Sequence, residues 1–207
     1  MPRLSLEALS ATRLAVIGGV VAAAALSAVL YVILSGPVQP LDRVPAALTQ
    51  LKPEKAAKPA PDVAFSDGTG RRHLLSQFRG RYVLVNLWAT WCGPCVRELP
   101  ALARLQAAIP QTRLKVVAIN VGRAGAKKTA SFLKLNLAAG LGVWRDSSGA
   151  LVRAFDVYGL PTSMLIGPDG REVARAVGAA HWDTQSAIAY FKALPLPKPN
   201  GTGRPAS

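Results

Sequence analysis

The chain alternates unbroken apolar runs with segments whose apolar residues recur at helical spacing. Tyr82–Trp88 (Tyr-Val-Leu-Val-Asn-Leu-Trp) is such a run, rich in β-branched and aromatic residues, and predicts a buried strand. Cys92–Ala108 follows with Leu99, Leu102 and Leu105 at helical intervals and predicts a helix. Leu114–Asn120 predicts a second strand and Ala126–Leu135 a second helix. Thr162–Ile166 and Glu172–Val177 flank Gly167-Pro168-Asp169-Gly170, the signature of a hairpin turn. Trp182–Leu194 sets Ile188, Phe191 and Leu194 on one face of a closing helix. Alternation first and a hairpin later imply an α/β domain over residues 62–194, a mixed central sheet flanked by helices.

The remaining segments have other patterns. Residues 14–34 form 21 consecutive uncharged positions with Ser27 the only clearly polar member. At 1.5 Å per residue this spans roughly 30 Å, the thickness of a bilayer core. A cleavable leader is the competing reading, with Ala23-Ala24-Ala25 as a small-residue site. Apolar residues from Val29 to Leu34 continue beyond it, however, whereas cleavage normally follows the apolar core, so one transmembrane anchor is expected. Arg3 and Arg13 precede the span and Arg43 and Lys52 follow it, nearly a tie by positive-inside counting. Arg13 abuts the span and points to a short cytoplasmic N-terminus at 1–13. The domain is then expected in the periplasm, on the far side of an inner membrane. Residues 35–61, with six prolines, read as a semi-extended linker, and residues 195–207 as a disordered tail.

Charge changes the picture modestly. The formal net charge is +14, and residues 62–194 alone hold 17 Lys and Arg against 8 Asp and Glu, a net +9. The basic residues are scattered and lack interleaved aromatic clusters, which argues against nucleic acid and favours an acidic protein or an anionic membrane surface.

Chemistry concentrates at Trp91-Cys92-Gly93-Pro94-Cys95, which contains the only two cysteines in the chain. Two cysteines three apart, where a strand gives way to a helix, form a dithiol able to cycle with its disulfide. Unpaired backbone N–H groups and the positive end of the helix dipole stabilise a thiolate on Cys92, marking it as the attacking sulfur. Cys95, one turn further on, is placed to resolve a mixed disulfide. Pro94 fits a first helical turn, where its missing N–H costs nothing. A purely structural disulfide across so small a loop would add little stability. Neither His73 nor His181 has ligand spacing to the pair, and both read as surface residues; a two-thiolate copper(I) site stays open.

Val85-Asn86-Leu87-Trp88-Ala89-Thr90-Trp91-Cys92-Gly93-Pro94-Cys95, then Glu98-Leu99-Pro100 and Gly159-Leu160-Pro161-Thr162, resemble the membrane-anchored TlpA-like thiol–disulfide oxidoreductases of the thioredoxin superfamily. The resemblance covers roughly residues 62–194 and implies a thioredoxin-like fold. It further implies that Pro161 is cis and lies against the active-site disulfide. Leu160, ahead of a cis proline, would then pair with an extended substrate peptide. Pro100 resembles the proline that kinks the first long helix. Cytoplasmic thioredoxins carry a buried acid where Asn86 stands; TlpA-like relatives carry one after the motif, where Glu98 stands. Glu98 is therefore either the acceptor of the Cys95 proton or a solvated helix residue. Trp88 is expected beneath the site and Trp91 on the contact surface.

The resemblance implies a reductase that needs no cofactor beyond the Cys92–Cys95 disulfide. Its clients would be apo-cytochromes or copper-assembly proteins with reducible disulfides, and its electron donor a membrane thiol reductase. Neither Gly93 nor Pro94 supplies a charge to stabilise the reduced form, which also favours donating electrons. A periplasmic oxidase and a copper(I)-binding module are the alternatives. A peroxidase is disfavoured by Ala89, since peroxiredoxin-like sites need a threonine three residues before the reactive cysteine.

Overall fold

A computed structural model describes residues 43–196, and the expected anchor at 14–34 and most of the expected tail lie outside them. Among the described residues no helix is long and apolar enough to cross a membrane. Eight strands form one mixed sheet in the order β1-β8-β7-β4-β5-β6-β2-β3. They are β1 (Leu51–Pro59), β2 (Phe65–Asp67), β3 (Arg72–His73), β4 (Tyr82–Trp88), β5 (Leu114–Asn120), β6 (Trp144–Arg145), β7 (Thr162–Ile166) and β8 (Arg171–Val177). Four helices complete the domain: α1 (Gly93–Ala108), α2 (Ala126–Leu135), α3 (Ala150–Ala154) and α4 (Gln185–Ala193).

Strand β4 is the axis. All seven of its residues are buried, as an unbroken apolar run demands. It runs parallel to β5 and antiparallel to β7. Alternation divides its side chains between two cores. Tyr82, Leu84 and Trp88 join Leu99, Leu102 and Leu105 of α1 and Phe191 of α4 on one face. Val83, Val85 and Leu87 join Leu151 and Phe155 on the other. Asn86 is in phase with Leu84 and Trp88, so its amide points into the α1 side. The β7–β8 hairpin turns at Gly170, whose φ of 83° is a conformation that favours glycine.

The Pro-rich segment 35–61, expected as a linker, is corrected from Ala46 onward. Ala46–Leu48 form a 3-10 turn, and β1 pairs antiparallel with β8, with Leu51 opposite Ala176 and Pro53 opposite Ala174. Prolines are tolerated there because β1 is an outer strand, where a missing N–H disrupts no second ladder. Leu48 and Leu51 are buried in the α1-side core and hold the segment down. At the other end, the Tyr82 hydroxyl donates to the Pro195 carbonyl at 3.1 Å and Leu196 packs against the core. The ordered domain thus extends beyond 62–194 at both ends.

Leu51→Ala should cost about 2–5 kcal/mol, the usual range for emptying a buried leucine site. Urea unfolding that gave no shift in midpoint would show β1 to be a dispensable edge.

Candidate active site

The end of β4 delivers the dithiol. Beyond Trp88 the chain turns, the Cys92 N–H donating to the Ala89 carbonyl at 3.1 Å, and Cys92 becomes the N-cap of α1. Cys92 and Cys95 are joined as a disulfide, their Cα atoms 5.3 Å apart. The Cys95 N–H donates to Cys92 Sγ at 3.3 Å. That N–H belongs to the unpaired first turn of α1, so it would equally hold a thiolate there. Cys92 retains 5% exposure while Cys95 has none, so Cys92 is the more accessible residue of the pair.

The Leu160–Pro161 peptide bond is cis, as the resemblance implied. Thr162, directly after it, pairs with Leu87, which brings buried Pro161 to the end of β4 where the dithiol segment emerges. Leu160 is half-buried and packs against both cores. Trp91 is 75% exposed beside Cys92, whereas Trp88 is fully buried, its ring 5.7 Å from that of Phe132. Trp88 is thus a core residue and Trp91 a surface one.

Glu98 is not a solvated helix residue. One turn beyond Cys95 on α1, it is 3% exposed. Its Oε1 accepts from Asn86 Nδ2 at 2.7 Å, and its Oε2 accepts from Trp182 Nε1 at 3.0 Å and the Ala180 N–H at 3.2 Å. Asn86 Nδ2 also donates to Ser163 Oγ at 2.9 Å. Burial pushes the Glu98 carboxyl above its usual value, and the hydrogen bonds from Trp182, Asn86 and Ala180 pull part of the way back. Three residues along α1 from Cys95, a carboxyl with a raised proton affinity is suited to exchange a proton with that cysteine's thiol in the reduced form.

Asn86, Ala180 and Trp182 were not identified as Glu98 partners from sequence, nor Ser163 as the partner of Asn86. Asn86 and Ser163 carry a faint signal: each is a polar residue inside an apolar strand, and the two are register partners across β4 and β7. Trp182 and Ala180 carry none, because they reach Glu98 through a loop following β8. His73, expected on the surface without a partner, is corrected. Its Nε2 lies 2.8 Å from Asp67 Oδ2 and its ring packs edge-on to Trp144. Among the described residues no group of three or more His, Cys, Asp or Glu could hold a metal.

A mixed sheet presenting a helix-capping disulfide beside a cis-proline defines the thioredoxin-like class. Residues 56–175 match the AhpC/TSA family, and the chain belongs to that family. It is 35% identical over 121 residues to the thiol-disulfide oxidoreductase ResA of Bacillus subtilis, covering 58% of this chain. The chain spans 65% of the length of that relative, slightly under two thirds. Among solved structures, a Chlorobium tepidum protein described as a thiol:disulfide interchange protein DsbE shares 31% identity with a TM-score of 0.57. That match covers 65% of this chain and 96% of the other. StoA from Bacillus subtilis, 23% identical with a TM-score of 0.52 over 63% of this chain and 99% of its own, shares the fold.

The raised Glu98 value has a signed consequence. Its stabilising contribution is complete below the unfolded-state value and is lost as pH rises through the higher folded-state one. Oxidised wild-type protein should therefore lose stability relative to Glu98→Gln as pH climbs from about 4 toward neutrality. Parallel curves in urea unfolding at stepped pH would contradict the burial effect.

Proposed function

We propose that this protein is a membrane-anchored periplasmic thiol–disulfide reductase acting on partner-protein disulfides. The observation that carries this reading is the asymmetric pair itself: Cys92 reachable at the helix N-terminus, Cys95 sealed, and a buried carboxyl one turn further on. The Cys92 thiolate attacks one sulfur of a client disulfide, forming a mixed disulfide and releasing the other client sulfur as a thiolate. Cys95 gives its proton to Glu98 and attacks Cys92 Sγ. The Cys92–Cys95 disulfide forms, and the second client thiolate leaves. The client gains two electrons and the protein loses two. A membrane thiol reductase then returns the protein to its dithiol form.

The names of the Bacillus and Chlorobium relatives support thiol–disulfide exchange, and the uncharged Gly93-Pro94 pair supports the reducing direction. The apolar run at 14–34 supports an inner-membrane anchor with residues 1–13 in the cytoplasm. Apo-cytochromes c or copper-oxidase assembly proteins are the proposed clients, since their thiols must be free before haem or metal binds.

The Cys92–Cys95 reduction potential, read by tryptophan fluorescence in thiol buffers, should fall at or below about −200 mV. A value near −120 mV, that of a strong oxidant, would reverse the direction. Cys95→Ala in the full-length chain should accumulate a covalent partner from membranes, released by added thiol. Absence of any such adduct would sink the mixed-disulfide scheme.

A further inference from the structure

The charges around the dithiol are one-sided. Residues 88–97 and 121–134 contain Arg97, Arg123, Lys127, Lys128 and Lys134 and no Asp or Glu. None of these five forms an ion pair among the described residues, where the salt bridges are Asp67 with His73, Asp183 with Arg104 and Glu172 with Arg175. Glu98 is close in sequence but buried, with both oxygens engaged. All five cations are exposed.

They also have a shape to act through. A cleft of about 520 Å³ opens beside the dithiol, lined by Thr90, Trp91, the loop 121–125 and Lys128. Its floor is held firmly. The Gly122 N–H donates to Asn120 Oδ1 at 2.7 Å, and Arg145 Nε donates to the Ala124 carbonyl at 2.9 Å. A Cβ at Gly122 would crowd Asn120 Oδ1 at 3.0 Å, whereas Trp91 Nε1 at 3.7 Å is at ordinary contact distance. Arg123 and Lys128 are exposed at the cleft, and Trp91, the residue before Cys92, lines it. Within the Cys-Gly-Pro-Cys segment, the Arg97 guanidinium lies 3.6 Å from where a Cβ on Gly93 would stand.

We infer that this cleft is a docking surface for an acidic segment of the client protein, one carrying Asp or Glu beside the disulfide to be reduced. The inference rests on the exchange reading above and adds the class of client to it. Carboxylates seated against Arg123 and Lys128 bring the client disulfide to Cys92 next door, with Trp91 covering the apolar stem of the segment. Because the contacts are exposed and charged, they act chiefly on encounter rate and weaken with salt.

The test uses the reduced full-length chain in a non-ionic detergent and two synthetic peptides, each closed by one intramolecular disulfide. They differ only in three flanking residues, Asp in one and Lys in the other. At low salt the acidic peptide should be reduced about tenfold faster, the lower end of electrostatic steering, and high salt should collapse the ratio. Arg123→Glu with Lys128→Glu should invert the ratio, and Arg123→Gln with Lys128→Gln should bring it near one. A ratio within each protein is insensitive to a general loss of active protein. Hydroxyethyl disulfide, small and neutral, reports the dithiol chemistry of the wild-type chain. Its reduction with no preference between the peptides overturns the docking surface alone. Failure to reduce any of the three disulfides overturns the exchange reading, and the docking surface with it. A preference untouched by the charge reversals, with partition onto phosphatidylglycerol-containing micelles lost instead, assigns the face to lipid and overturns the proposal.

Discussion

A single carboxyl group sunk into the α1-side core organises this domain. Burying Glu98 removes its hydration, a cost of several kcal/mol if its oxygens went unpaired. Three donors from two segments converge to prevent that: Asn86 from the middle of β4, and Trp182 and the Ala180 N–H from the segment after β8. Ser163 on β7 steadies Asn86 in turn. The network ties α1, which begins at the dithiol, to the centre and the far end of the chain. Its bonded partners lie up to 84 residues apart, so it can exist only in the finished fold.

That arrangement separates two electrostatic environments by one helical turn. Beneath the dithiol, a low-dielectric pocket holds one acid whose proton affinity burial has raised. At the surface, Arg97 against Gly93 and Arg123 and Lys128 at the Trp91 cleft are exposed and form no ion pair among the described residues. The buried side is suited to moving a proton at Cys95, and the exposed side to selecting what approaches Cys92. The disulfide lies at the boundary, Cys92 slightly exposed and Cys95 fully buried.

The elements that sequence pattern located are those with strong local signals. β4, β5, β7 and α2 lie where the apolar runs and helical spacing put them. β1 was hidden because an outer strand needs few apolar residues and tolerates Pro53 and Pro59; its identity comes from pairing with β8, more than a hundred residues away. β2, β3 and β6 have two or three residues each, too short for any period to register. The short helix α3 closes the second core through Leu151 and is equally silent in sequence.

The local sequence determined the dithiol, its place between a buried strand and a helix, and the assignment of Cys92 and Cys95 to different roles, because neighbouring residues and one helix terminus set those features. It also contained the excess of basic residues. Tertiary structure decided what surrounds them. Glu98 could be a solvated residue or a buried acid until Asn86, Ala180 and Trp182 were brought to it. Arg123 and Lys128 were scattered charges until the loop after β5 folded beside Trp91. Burial and proximity between distant segments are properties of the packed chain, and they set both the proton affinity of the carboxyl and the charge that a partner meets at the sulfur.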